Sequence, residues 1–303
     1  MQKLGKTELE VSRIALGCMR MASLDDKVAQ AVVQTALEQG ITFFDHADIY
    51  GGGESERRFA AAVKELGVHR EKYILQSKCG IRKGYFDFSK EHILTSVDEM
   101  LKRLGTDYLD VLALHRPDAL MEPEEVAEAF SALKKTGKVR YFGVSNQNVY
   151  QIELLQSYLA EPLVVNQLQL SPAHTPLIDA GLHVNMKEDG ATVRDGSVLD
   201  YCRLNSITIQ AWSPFLIDLQ RGIFVDHSDY ANLNQTIERL AIQYHVSREA
   251  IIVAWIMRHP AKIQTIVGSM NPERIAKIVE AEKVCLTRPE WYEIYTSAGN
   301  TLP

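Results

Sequence analysis

The stretch DDKVAQAVVQTALEQGITFFDHADIY, residues 25–50, contains one full period of the pattern that decides the fold. Its first half reads as an amphipathic helix that stops at Gly40, where a left-handed cap suits glycine. Then ITFFDHA, 41–47, runs as a short apolar strand and closes on Asp45. Tyr50 and three glycines, Gly51–Gly53, follow in the loop beyond. A carboxylate at the end of a buried strand needs a partner, because burying a lone charge is expensive.

The same helix-then-strand unit recurs along the chain. The strand runs are IALGCM (14–19), ITFFDHA (41–47), KYILQSK (72–78), LDVLALH (109–115), VRYFGVSN (139–146), LVVNQLQL (163–170), TIQAWSPF (208–215) and KIQTIVGS (262–269). Between them lie runs with apolar residues at helical spacing, such as Val97, Met100, Leu101 and Leu104, and Gly105 and Gly137 provide further stops. Strands that are apolar for most of their length are expected of a parallel sheet covered on both faces. Eight such units predict an α/β fold, a (β/α)8 barrel forming one domain over residues 1–303. A doubly wound open sheet is the competitor. It would carry a glycine fingerprint after its first strand, and LGCMRM has no GxGxxG.

Three segments fall outside the repeat. Residues 1–13 predict a β-hairpin turning near Gly5–Thr7 that plugs the barrel bottom. Residues 171–195 and 216–230 predict long loops after the sixth and seventh strands, on the face where barrels keep their sites. Extra helices are expected near 231–244 and 287–298.

Composition excludes several classes. The net charge of −6 and the lack of a basic stripe argue against a nucleic-acid partner. No apolar run reaches the roughly 18 residues that span a bilayer, so no membrane role is expected. MQKLGKTELEVSR at the N-terminus lacks the apolar core of a signal peptide, which points to the cytoplasm. Cys18, Cys79, Cys202 and Cys285 show no metal-ligand spacing and read as free thiols. A monomer without a metal is the expectation.

The strand ends carry the chemistry. In a barrel, Asp45, Lys78, His115, Ser145, Asn146, Gln167, Trp212, Ser213, Gly268 and Ser269 all stand at or near one mouth. A phenol has a pKa near 10, and an adjacent ammonium lowers it. Lys78 is expected to do this for Tyr50, with Asp45 holding Lys78 charged. His115 is expected to orient a carbonyl oxygen. Such a set protonates an oxygen while a hydride reaches carbon.

With Asp45 and Tyr50 in DHADIYGGGESE, Lys78 in LQSKCG and His115 in LALHRPD, the sequence resembles the aldo-keto reductases, in the bacterial oxidoreductase branch. The likeness runs from LGKTELEVSRIALG to IVGSMNPERI and includes GVSN and AWSP in order. It implies that Asp45, Tyr50, Lys78 and His115 are catalytic and that NADPH/NADP+ lies across the mouth. By position, Ser145, Asn146 and Gln167 would hold the nicotinamide carboxamide, and Trp212 would stack on its ring. Gly17 would approach the cofactor, and Ser213, the backbone after it at Pro214 and Phe215, and Gly222 would approach its pyrophosphate. Ser269 and Arg274 would hold the 2′-phosphate with Asn271 assisting, beside Gly268, where the lack of a side chain removes one phosphate contact. Many members carry Lys in place of Gly268, and a Glu-Asn pair for adenine in place of Lys277 and Ile278. The implied activity is NADPH-dependent reduction of small-molecule aldehydes or ketones, with hydride from nicotinamide C4.

Other readings remain beside this one. Some relatives of the family bind NADPH as regulatory or sensing proteins with little turnover, and a barrel hydrolase or isomerase needs no nucleotide. Asp45 and Lys78 also read as a plain buried ion pair, His115 as a core histidine, Trp212 as core, and Ser145-Asn146 as a helix cap. Arg20, Arg116 and His174 stand near the mouth, with solvated or structural readings equally open. Nothing in the sequence gives a mechanism to His46.

Overall fold

A computed structural model describes residues 1–182, 198–218 and 220–300. Eight parallel strands close into a barrel: β1 (Ile14–Gly17), β2 (Phe43–Asp45), β3 (Ile74–Cys79), β4 (Leu109–Leu114), β5 (Val139–Ser145), β6 (Leu163–Gln169), β7 (Thr208–Trp212) and β8 (Gln264–Val267). Each pairs with its neighbour in sequence, and β8 closes onto β1 through Thr265 opposite Ile14. Every one of the eight expected strands is present.

The helices follow from the sequence signals. Ser89, Asn148, Ser247 and Thr287 cap the helices that start after them by accepting a backbone N–H. Gly40, Gly105 and Gly137 all adopt positive φ where helices end. The extra helices occupy Ala231–Tyr244 and Arg288–Ser297, as expected. The last of these is tied to Arg248–Met257 by a pair of tryptophans. Trp255 and Trp291 stack at 4.9 Å, and each indole N–H donates to the other's backbone carbonyl at 3.0 Å.

The larger hydrophobic core lies between the strands and the helix ring. A smaller one fills the barrel floor with Ala15, Phe43, Val111, Val164, Val165 and Ile266. The N-terminal hairpin, Gln2–Lys3 paired with Glu10–Val11, closes this floor with Leu4 and Val11. Gly5 makes its turn at φ 54, and a Cβ there would stand 2.9 Å from the carbonyl oxygen of Val164.

Three features were not expected from the sequence. A hairpin, Ile81–Arg82 with Tyr85–Phe86, follows β3. The loop after β7 folds into another, Leu216–Asp218 with Gly222–Ile223. The loop after β6 contains a helix at Pro176–Leu182, and the rest of that loop, 183–195, lies outside the described residues. No helix among the described residues is long and apolar enough to cross a membrane.

If Leu4 seals the floor, Leu4→Ala should cost about 2–5 kcal/mol, the usual range for a buried leucine that leaves a cavity. Denaturant unfolding would measure it. A loss below ~1 kcal/mol would mean that the hairpin is an ornament rather than a plug.

Candidate active site

The register of parallel strands sets the ends of β2, β3 and β4 side by side. Asp45 pairs in register with Gln76, and Lys78 with Ala113. Lys78 and Asp45 are 0% and 2% exposed, and Lys78 Nζ donates to Asp45 Oδ1 at 2.6 Å. The ammonium also lies 5.2 Å from the centre of the Tyr50 ring. The Tyr50 and His115 rings meet edge to face at 6.0 Å. All four residues proposed from the sequence are therefore gathered at one place.

Backbone bonds hold the Tyr50 loop to the barrel. Cys18 N donates to Asp45 O, His46 N to Gln76 O, Asp48 N to Lys78 O and His115 N to Cys79 O. Tyr50 opens a tight turn, Tyr50–Gly53, in which all three glycines have positive φ. Two of them also permit close approach. A Cβ on Gly51 would sit 2.3 Å from that of Ala22, and one on Gly53 would sit 2.5 Å from Arg103 Cδ. Arg103 reaches past Gly53 to the buried Glu56, at 2.5 Å from Nε to Oε2, and Ser77 donates to the same carboxylate at 2.9 Å. This second polar cluster anchors the helix Glu54–Glu65 directly after the Tyr50 turn.

Electrostatics sorts the groups into fixed states. Burial pulls the Lys78 ammonium down, but the charges of Asp45 and Tyr50 outweigh it and leave its pKa raised. His115 is pushed down to about 2 by burial, with Lys78 and Arg116 adding to the effect, so it stays a neutral ring. Its Nδ1 is buried without a partner. Tyr50 departs from the sequence expectation. Lys78 does lower its pKa, but burial raises it by more, and the net shift is upward. Asp48, below Tyr50, is raised to about 7 by burial and by Glu56.

Three glutamines not singled out in the sequence, Gln76, Gln210 and Gln264, join Gln167 in filling the barrel beneath the pair. Gln76 Nε2 donates to Asp45 Oδ1 and to Gln210 Oε1, both at 2.7 Å. Gln167 Nε2 donates to the same two oxygens at 3.2 and 3.3 Å. Gln210 Nε2 donates to Gln264 Oε1 at 2.8 Å, and Gln264 Nε2 to the Ser12 carbonyl at 2.7 Å. The available signal was a long polar amide inside otherwise apolar strands, in ILQS, TIQA and KIQT.

Of the residues implied for the cofactor, Asn146 and Trp212 share one cavity. Ser145 donates to the Gln167 carbonyl at 3.0 Å, and Asn146 Nδ2 donates to Ser145 Oγ at 2.7 Å. Trp212, Asn146, Arg116 and His174 line a cavity of about 540 Å³ with Leu168, Gln169 and Asp218. Arg116 lies over the Trp212 ring at 5.6 Å. Ser213 has φ 52, which turns the chain at Pro214 and Phe215. Gly222, at φ 81, lies in the second hairpin, and Gly268 has open space where a side chain would be. Asn271 caps the helix Pro272–Val279 by accepting from Arg274 N, and Ser269 accepts from Asn271 N. The Arg274 side chain is exposed, with Glu249 at 3.8 Å. Gly17 is buried against Ile266, and Ile278 is buried in the core. His46 is a neutral, buried ring against Phe59 with both nitrogens unpaired and its pKa pulled down to about 3 by burial. Arg20 is exposed.

The likeness to known proteins runs the length of the chain. A family model described as the Aldo/keto reductase family matches residues 13–297. YcsN, an uncharacterized oxidoreductase of Bacillus subtilis, is 38% identical over 321 residues, with all of both chains covered. A 6-dehydroglucose reductase of Agrobacterium fabrum is 34% identical over 312 residues, covering 98% of each chain. Among solved structures, the thermostable aldo-keto reductase Tm1743, in complex with the inhibitor epalrestat, has a TM-score of 0.79 at 24% identity over 98% of each chain, a likeness of fold.

Because Gly53 combines positive φ with the Arg103 contact, Gly53→Ala should displace Arg103 and lower stability by about 1–3 kcal/mol. Thermal unfolding beside Gly52→Ala, where a Cβ meets open space, checks it. Equal losses in the two variants would assign the cost to backbone strain alone.

Proposed function

The chain belongs to the aldo/keto reductase family, and on that premise we propose that it uses NADPH to reduce an aldehyde or ketone to an alcohol, with Tyr50 as the proton donor. The observation that carries this reading is the Lys78 ammonium, fixed 2.6 Å from Asp45 and set against the Tyr50 ring at an open mouth.

Each residue then has a task. Tyr50 gives its proton to the carbonyl oxygen as negative charge develops there. Lys78 is a permanent cation beside the hydroxyl and favours the phenolate that remains. His115 is neutral, so one ring nitrogen can donate a hydrogen bond to the same oxygen without competing as an acid. Asp45 keeps Lys78 charged and in place. A bound nicotinamide supplies the hydride.

The residues at the mouth suit such a cofactor. Gln167 commits its amide hydrogens to Asp45 and Gln210, which leaves its carbonyl oxygen to accept from a carboxamide. Trp212 offers an aromatic face. The preference for NADPH rests on Ser269 and Arg274 at the start of the helix Pro272–Val279, where a hydroxyl and a guanidinium favour a phosphate. The 6-dehydroglucose reductases among the relatives make a polyhydroxylated aldehyde the first substrate to try.

The test is NADPH oxidation with a panel of sugar aldehydes, aromatic aldehydes and diketones, for the wild type beside Tyr50→Phe. Turnover in the wild type and a loss of about 10²–10⁴-fold in the variant support the reading. Tight NADPH binding with no turnover would instead favour a regulatory protein.

The raised Tyr50 pKa also fixes a sign. Reduction needs the phenol and oxidation needs the phenolate. Reduction should therefore hold its rate through the neutral range and fall only above the ordinary phenol value of 10.0, while alcohol oxidation climbs with pH up to and past that value. Paired pH–rate profiles check this, and a reduction rate that halves between pH 7 and 8 would contradict it.

A further inference from the structure

Resting on that reading, we propose that Gln210 is a positioning residue that couples the cofactor-binding amide of Gln167 to the Asp45–Lys78–Tyr50 acid. It is fully buried beneath the mouth, so it acts through other residues.

The geometry is a closed ring. Asp45 Oδ1 accepts from Gln76 and from Gln167, and both amides donate again to Gln210 Oε1. Four side chains from β2, β3, β6 and β7 thus hold one another. A flipped Gln167 would turn its oxygen toward two acceptors, the Asp45 carboxylate and Gln210 Oε1. The ring therefore fixes which face of that amide looks into the mouth. It also places three donors on one carboxylate oxygen, since Lys78 donates there too.

The orientation of the ring is set from both ends. The Ser12 carbonyl, at the edge of the N-terminal hairpin, can only accept. Gln264 must turn its NH₂ toward it and its oxygen toward Gln210. Gln210 must then donate downward and accept from above, which obliges Gln76 and Gln167 to donate to Asp45. The Ser12 carbonyl below and the Asp45 carboxylate above, neither of which can donate, thereby set the polarity of every amide between them. Each step is a buried hydrogen bond, where an unmet partner is costly, and Gln76 carries that cost at its own Oε1, which is buried without a partner.

Loss of Gln210 should therefore be felt at two places, at its neighbour Gln167 and at the Tyr50 acid that it does not touch. Gln167 keeps the Asp45 carboxylate but loses the second acceptor that opposes a flip, so its amide is held less firmly, which weakens NADPH binding. Asp45 loses fixed donors, which loosens Lys78 and strengthens the field of the carboxylate on Tyr50. The titratable groups around Tyr50 are Lys78 from β3, Asp45 from β2, Cys18 beyond β1 and His115 beyond β4. Lys78 lowers the phenol's pKa and Asp45 and Cys18 raise it, so both changes act upward.

The experiment compares Gln210→Leu with the wild type by fluorescence titration of NADPH and by the pH profile of alcohol oxidation. The expected result is a dissociation constant raised roughly fivefold or more, the worth of one hydrogen bond. The rising limb of oxidation should also move up by about half a pH unit or more. If Gln210→Leu does not fold, Gln264→Met tests the same chain, because it releases the amide of Gln210 while leaving the ring members in place. A folded variant with an unchanged dissociation constant and an unchanged limb, and only a lower melting temperature, overturns the coupling and leaves the glutamines as filler. A wild type that neither binds NADPH nor turns over any carbonyl strikes the proposed function instead.

Discussion

An ammonium and a carboxylate 2.6 Å apart, both shut away from water, impose the condition that the rest of the barrel satisfies. Removing either charge alone from such a pair is typically worth about 3–5 kcal/mol in the wrong direction. Neither survives there on Coulomb attraction alone, because desolvation is of similar size. The carboxylate needs its further donors, and the glutamines provide them. The pair is thus a product of four strands rather than of two, and it exists only when the barrel is closed in the right register.

This arrangement divides the barrel interior by height. The floor is apolar and sealed by Leu4 and Val11. The middle is a lattice of amides with no net charge. The charged groups and the neutral His115 sit at the top, where a substrate arrives. Moving upward, each layer is more polar than the one below, and each orients the next. The turn at Tyr50 is held separately, by Gly51 against Ala22 and by Arg103 reaching past Gly53 to Glu56. The acid is therefore clamped from beneath and from the side, and its face toward the mouth remains open.

Much of this was legible in the sequence, for reasons that particular residues show. The eight strands stood out because burial on both faces leaves an apolar run that few other elements have. Asp45, Lys78 and His115 stood out because a charge or an imidazole closing such a run is unusual. Pairwise adjacency was harder to read. Gln76, Gln210 and Gln264 lie far apart in the chain, and only the closure of β7 and β8 against β1 brings them into one ladder. The sign of the Tyr50 shift needed the depth of burial, which no local pattern encodes. Asn271 looked like a phosphate contact and is also a helix cap, since the same side-chain oxygen suits either partner. The hairpin at Ile81–Phe86 was missed because two-residue strands carry no periodicity.

The stacked tryptophans that tie the last helix to the barrel have an optical consequence. The chain has three tryptophans, and two of them are the buried, nearly parallel pair at 4.9 Å, with an angle of 10° between the rings. Indoles held that closely couple their electronic transitions, so the pair should split the near-ultraviolet circular dichroism into a couplet that vanishes when the helix Arg288–Ser297 detaches. Trp212 is the remaining emitter, and it lines the mouth. The molecule therefore carries two separate spectroscopic channels, one reading the integrity of the helix ring and the other reading what enters the cavity, without any added label.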